Sequence, residues 1–459
     1  MDARVLTGRK MILTDVSNIT RANVGEILSK AFDTHEADRK DIEYLYNYYR
    51  GKQPILGRVK DVRPEIANRI VENRANEIVS FKVGYLMGEP VQYIGRNDDG
   101  SITESINKLN GFVFAEDKAA KDKELADWFH ICGTSYRMVF PDKEEGADPP
   151  FHIYTLDPRN AFVVYHNDLG NPPVMGVKYV KTSEGERIFS VYTKDMYFEL
   201  DDAFKVTKSD PQTLGIPIVE YPANSARLGA FEIVLPLLDA INSVDSNRLD
   251  GLEQFIQALM LFHNVDISSE DFAALRAEGA IKFRDVDGQQ KANISYLVAE
   301  LNQTQTQTLV DHLYQTVLTI CGMPNRNGGL STSDTGSAVI MRDGWSAAEA
   351  RAKDSELTFK RSEKEFLKLV LKMSRELSDL NLTLGNVEVR FTRRNYENIT
   401  EKANVLTVML NNEKIHPLLA FTHSGLFTDA EMAYTMSNEY YLEQMNSQTI
   451  NAGAGDGDG

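Results

Sequence analysis

Only two cysteines occur in 459 residues, Cys132 and Cys321, and neither has a Cys-x-x-Cys neighbour. That argues against a disulfide framework and for a reduced compartment. No stretch reaches the roughly 18 apolar residues of a membrane span. The opening MDARVLTGRKMILTD has no long apolar core, so no secretory leader is expected. Basic residues are also short: 50 Lys and Arg against 67 Asp and Glu give a formal net charge of −17. Affinity for nucleic acid comes largely from neutralising phosphates, so a chain this acidic does not grip DNA over its whole surface. What is present is ordinary for a globular protein: 42% hydrophobic and 25% charged residues, in a chain long enough for two to four compact units.

Recognisable site chemistry is scarce as well. His130 and Cys132 have ligand-like spacing but no second cluster, and buried packing is the simpler role. DVDG, from Asp285, starts like a calcium loop and lacks the third acidic position and the terminal Glu. NRNGG and DTGSA are rich in glycine, yet neither has the spacing of a phosphate-cradling loop. His312, beside Asp311 and near Tyr314, reads as an ordinary helical histidine. Glu144 and Glu145 read as a solvated turn. No catalytic residue, metal site or cofactor is expected.

The organisation along the chain is more informative. VGEILSKAF and EADRKDIEYLYNYYRGK have helical spacing. A second helix is expected over residues 64–88, with Pro64 in its first turn, Gly88 just past its end and Pro90 preventing continuation. Its apolar face holds Ile66, Ile70, Ala75, Ile78 and Val79, and is intruded on by Arg74 and Lys82, which must pair or reach out to solvent. VQYI then reads as a strand. Residues 102–131 are helical. From about 134 to 221, short β-rich runs (SYRMVF, FHIYTL, AFVVYH, GVKYV, RIFSVYT, MYFEL, IPIVEY) alternate with turn signals, predicting an antiparallel sheet. A helix over about 230–262 holds Pro236 and Gly251, which predict a kink or a delayed start. Residues 263–302 form a small α/β insert, and a helix ending before Pro324 closes it. The glycine-bearing loop PNRNGGLSTSDTGSA precedes a long charged helix, roughly 339–380. The strand VEVRFT, two further helices and the low-complexity tail NAGAGDGDG complete the chain. The fold class is α+β and multidomain.

Three segments carry a resemblance. YYRGKQPIL is followed by NRIVENRANEIVSFKVGYLMGEPVQY. DTGSAVIMRDGWSAAEARAKDSELTFKRSEKEFLKLV and VRFTRRNYENITEKANVL come later. In this order they resemble the portal proteins (head–tail connectors) of tailed bacteriophages of the siphophage type. The order Gly336-Ser337-Ala338 departs slightly from that family's Ser-Gly-x-Ala.

The resemblance implies a subunit with wing, stem, clip and crown. The parts would be an N-terminal arm 1–24, wing 25–229, stem helix 230–257, clip 258–302, second stem helix 303–322 and tunnel-loop region 323–345. The long wing helix and return strand would be 346–398, the crown 399–446 and a disordered tail 447–459. It further implies a ring, usually of 12 copies, passing double-stranded DNA at one capsid vertex during packaging and ejection. Expected partners are the terminase large subunit, a head–tail adaptor and the major capsid or scaffolding protein. The expected location is the virion, with assembly in the host cytoplasm and no membrane. Twelve stem helices packed about 10 Å apart enclose a ring of radius near 19 Å, which leaves a bore of roughly 28 Å. Candidate DNA contacts by position are Arg326, Asn327, Arg342 and Arg351. A clip docking surface would use Glu270, Asp271, Arg276, Lys282 and Arg284. Gly84, Gly88 and Pro90 would form a structural corner. The alternatives are another oligomeric phage structural protein, or a hydrolase or nuclease with an unrecognised site.

Overall fold

The computed structural model describes residues 4, 6–61, 63–96, 100–142, 144, 148–256, 259–263, 268, 270, 293–297, 303–325, 344–393, 399–427 and 430–453. In chain order the elements begin β1 (Ile12–Thr14), α1 (Val24–Tyr49), α2 (Arg74–Leu86), β2 (Gln92–Gly95), α3 (Gly100–Ala115) and α4 (Lys118–Cys132). Next come β3 (Thr134–Pro141), β4 (Phe151–Leu156), β5 (Ala161–His166), β6 (Pro173–Lys181), β7 (Arg187–Tyr192), β8 (Met196–Leu200), β9 (Val206–Pro211) and β10 (Ile218–Pro222). They are followed by α5 (Leu235–Ile256), β11 (Leu259–His263), β12 (Asn293–Leu297), α6 (Gln303–Cys321), α7 (Trp345–Leu377) and β13 (Val387–Arg390). The chain ends with α8 (Ile399–Leu410), α9 (Pro417–Ser424) and α10 (Ala430–Gly453).

The chain divides into two compact units, one built around Asn47–Asn76 and Ile233–Ile320, the other around Thr7–Tyr46, Glu77–Glu232 and the chain from Cys321 onward. In the second unit, β1-β5-β6-β7-β8-β9 form a six-stranded sheet and β10-β3-β4 a three-stranded one. The expected antiparallel sheet is present with one difference: β1, from the segment read as an N-terminal arm, pairs with β5 in parallel. The strand β9 was not expected. VTKSDP carries Lys208 and Asp210 and ends in proline, which suits a sheet edge that must not recruit another chain. Apolar side chains gather in two cores. One lies on the six-stranded sheet beneath α1, with Leu28, Phe32, Phe162, Phe189 and Phe198. The other joins the three-stranded sheet to α3, α4 and α7, with Phe112, Phe129, Phe151, Phe359 and Phe366. Gly133 ends α4 at φ +77, and an added Cβ there would lie 2.2 Å from the Arg227 carbonyl oxygen, so glycine is required.

The helix expected over 64–88 begins only at Arg74. Residues 66–73 have no regular secondary structure, and the cause lies in what they bind, described below. Helix α5 starts at Leu235 with Pro236 in its first turn, so the proline delays the helix rather than kinking it. In the expected insert, β11 pairs antiparallel with β12, and β11 begins at Leu259, ahead of the expected HNVDI. Among the described residues after β13 there are three helices, not two. The short α9 was missed, and α10 runs on through Gly453 into the stretch read as a disordered tail.

Candidate functional site

The first unit is organised around α5. On one side of this helix, Asn242, Ser246 and Asp250 recur every fourth residue, so they stack in a column. The segment 68–72 runs antiparallel beside it. Asn242 Oδ1 accepts the Glu72 N–H at 2.8 Å, Ser246 Oγ the Ile70 N–H at 3.0 Å, and Asp250 Oδ1 the Asn68 N–H at 2.7 Å. Two residues of extended chain advance about 6.6 Å and four of helix about 6.0 Å, so the two repeats match over three rungs. This ladder satisfies N–H groups that a helix would have bonded internally, and it overrides the helical spacing of Ile66, Ile70 and Val71. Arg58 and Lys60 each reach Asp250 at 3.0 Å. Burial disfavours the Asp250 carboxylate, but the Asn68 and Lys60 hydrogen bonds and the Arg58 charge hold its pKa below the ordinary value.

In the second unit, five elements meet at a buried charge web. Lys118 Nζ lies 2.6 Å from Asp122 and 2.8 Å from Glu363. Arg137 pairs with Asp122, and with Glu363 at 3.2 Å. Tyr93 and Tyr221 donate to the two Glu363 oxygens at 2.6 and 2.8 Å. All four charged side chains are at most 4% exposed, and the two cations balance the two anions. Burial alone would raise the pKa of Glu363, yet Lys118 and Arg137 hold it well below the usual carboxylate range. Burial pushes both tyrosines up, so they remain donors. The web ties α4, β3, β10 and β2 to the middle of α7. The start of α7 is tied to α2, where Tyr85 donates to Glu349 at 2.9 Å.

The corner at 84–90 has a geometric reason. Helix α2 ends at Leu86, and β2 pairs with β13. An added Cβ on Gly88 would lie 2.5 Å from the Gly84 carbonyl oxygen, so the chain folds back too tightly for any side chain. Gly88 is not in the left-handed conformation expected of a residue closing a helix. Gly84 has open space around it, and a Cβ there meets nothing. Beyond Pro90 the strand delivers Tyr93 to Glu363. The two intruding cations behave as expected. Arg74 pairs with Glu72 at 2.7 Å and covers the Tyr314 ring, and Lys82 donates to the Cys321 carbonyl at 2.8 Å.

Of the candidate DNA contacts, Arg326, Asn327 and Arg342 lie outside the described residues. Arg351 is exposed on α7, with its aliphatic stem over Gly322, where an added Cβ would lie 2.6 Å from Arg351 Cγ. Of the clip candidates, Glu270 is exposed, and Asp271, Arg276, Lys282 and Arg284 lie outside the described residues, as does DVDG. His130 and Cys132 are packed in the interior. Burial lowers the His130 pKa to about 3 and raises that of Cys132 to about 12. Among the described residues, no group of three His, Cys, Asp or Glu could hold a metal. A cleft of about 1040 Å³ lies among β2, α3, β13 and the start of α10, and among the described residues no catalytic constellation lines it.

The family model described as "Phage portal protein, SPP1 Gp6-like" matches residues 28–441. The chain belongs to that family. The resemblance carried by YYRGKQPIL and the segment leading to GYLMGEPVQY is thereby borne out. Among curated proteins, the Portal protein of Bacillus phage SPP1 is 23% identical over 280 residues, covering 55% of this chain. The match spans 53% of that protein, so the chain covers about half the length of this relative. A solved structure, "Neck of empty GTA particle computed with C6 symmetry", aligns with a TM-score of 0.43 at 9% identity, over 77% of this chain and 90% of that one.

Sequence reasoning missed both interior devices of this portal-family chain. The ladder had a signal, since three polar residues at four-residue spacing sat on the face of α5 that also holds Leu235 and Leu238. The web had only the Lys118–Asp122 spacing on one helix. In α6, residues 304–308 are Thr-Gln-Thr-Gln-Thr, uncharged and mostly exposed.

Proposed function

We propose that the chain is a portal subunit, closing into a ring whose axial channel passes double-stranded DNA at one capsid vertex. The observation that carries this reading is the family match over residues 28–441. In this reading α5 and α6 are the stem, the β11–β12 hairpin is the base of the clip, and α8–α10 are the crown. The ladder braces the stem helix, and the web fixes the long wing helix to the β-rich body. A net charge of −17 suits a wall along which a polyanion must slide rather than stick, and the uncharged run 304–308 suits it equally. The chain itself performs no chemistry. The terminase supplies the work and docks at the clip, an adaptor later takes its place, and coat or scaffolding protein contacts the outer surface. The complement is 12 copies, assembled in the host cytoplasm and retained in the virion.

Electron microscopy of the purified protein, with its mass measured in solution, tests the reading. Rings with an open axial channel are expected, of about 12 subunits as the family resemblance implies; at that number a helix spacing of about 10 Å leaves room for a duplex. A monomer or dimer that persists at high concentration and with scaffold present overturns it.

A further inference from the structure

The stretch Met436–Leu442 of α10 carries large apolar side chains that stand exposed among the described residues. Met436 is 64% exposed, Tyr440 64%, Tyr441 61% and Leu442 52%. Three of them are consecutive, so at 100° per residue they point in three directions. Tyr440 and Leu442 lie about 160° apart, at nearly the same height on the helix. One partner face covers only about a third of a helix, so Tyr440 and Leu442, on nearly opposite sides, are not covered by a single partner. The occupant must therefore approach from two sides at once. Nucleic acid and other polyanions are excluded, because the chain has no Lys or Arg after Lys414, and the helix carries Glu431, Glu439 and Glu443.

We propose that this stretch of α10 is a contact between copies of the chain, parallel helix against parallel helix, with Tyr440 of one copy packed on Leu442 of the next. The inference rests on the ring reading, which supplies each copy with two identical neighbours. Such a contact is heterologous: two different faces of one helix meet, and it repeats around a closed circle. Its size agrees. The four side chains expose on the order of 400 Å² in all, against about 800 Å² per partner in a stable pair. The contact is too small to hold a dimer and suited to a small increment repeated around a ring. Because the helices are all acidic, salt should leave the contact intact or strengthen it.

The test is the Y440C/L442C double variant of the full chain, oxidised with copper phenanthroline and run on a non-reducing gel. A bismaleimide of about 10 Å span, matching the spacing of packed helices, serves as a second cross-linker. Cys132 and Cys321 are both buried, so the introduced thiols are the accessible ones. The expected result is a ladder of covalent species beyond the dimer, while Y440C and L442C alone stop at dimer or below. Solution mass and microscopy of the same sample, before oxidation, report the ring separately. Rings without a ladder from either cross-linker overturn the contact and leave the ring reading standing. A ladder without closed rings supports the contact and overturns the ring. Absence of both overturns both.

Discussion

The β-rich body and the C-terminal helices are built on opposite terms. The body closes on itself: its two cores gather more than forty buried apolar residues, and in its buried web two cations balance two anions. Among the described residues of α8–α10, by contrast, the buried apolar ones are Ala420 and Phe421, while Val405, Val408, Leu419 and Met436 stand exposed. The first region is stabilised by its own sequence. The second has too small a core to hold alone and takes the rest of its stability from what it meets. Both are built of regular secondary structure, so its presence alone does not explain the difference. The burial of their faces does.

The comparison breaks first at Glu363. Glu363→Ala leaves Lys118 and Arg137 buried with one carboxylate between them, and should cost the body about 3–5 kcal/mol in urea unfolding followed by circular dichroism. Glu363 is held below its ordinary value of 4.5, so its stabilisation is present above that pH and is lost as pH falls toward the lowered pKa. Gly88→Val should cost about 1–3 kcal/mol through the clash with the Gly84 carbonyl, and normal rings with an unchanged midpoint would show that the corner is dispensable. Ser246→Ala removes one rung of the ladder and should lower the unfolding free energy by about 1–2 kcal/mol, read from the urea midpoint. Asp38 gives a smaller, pH-dependent effect. Burial raises its pKa to about 6, against the Lys10 N–H bond and the Arg9 and Arg227 charges. The folded state therefore binds this proton more tightly, and stability falls as pH rises from about 4 to about 6. Asp38→Asn should flatten that fall, so its melting temperature relative to the parent should be higher at pH 8 than at pH 4. Smallest of all, Met436→Ser should leave the monomer's unfolding free energy within about 0.5 kcal/mol of the parent, because the side chain contacts solvent. A large loss there would mean that α10 is covered within its own subunit.

Much of the architecture was legible. Helices α1, α6 and α7, the helical stretch that contains α3 and α4, and the strands β2–β8, β10, β12 and β13 follow from periodicity and turn residues. The failures have separate causes. Residues 66–73 have a helix's apolar spacing, but their N–H groups belong to α5, and no local pattern reports a partner about 175 positions away. The short α9 is only eight residues, started by Pro417 and capped by His416 Nδ1 on the Leu418 N–H, below the length at which periodicity speaks. The strand β1 has three residues and gains its identity from β5. The charge web was invisible because Arg137 and Glu363 are 226 residues apart. Arg326, Asn327 and Arg342 lie outside the described residues, and the structure adds nothing to their reading.

The ladder along α5 also constrains how the chain can change length. Inserting one residue between Asn68 and Glu72 turns the following N–H groups to the opposite side of the extended segment, away from the column. One residue inserted between Asn242 and Asp250 swings the column by 100°. Either change breaks the rungs beyond it. Only a paired change, two residues in the segment together with four in the helix, adds a rung. Each added rung carries about 0.6 Å of accumulated mismatch between the two repeats. Among relatives, length variation should therefore be coupled between these two stretches or absent from both, while the turn at Ser183–Gly185 varies freely.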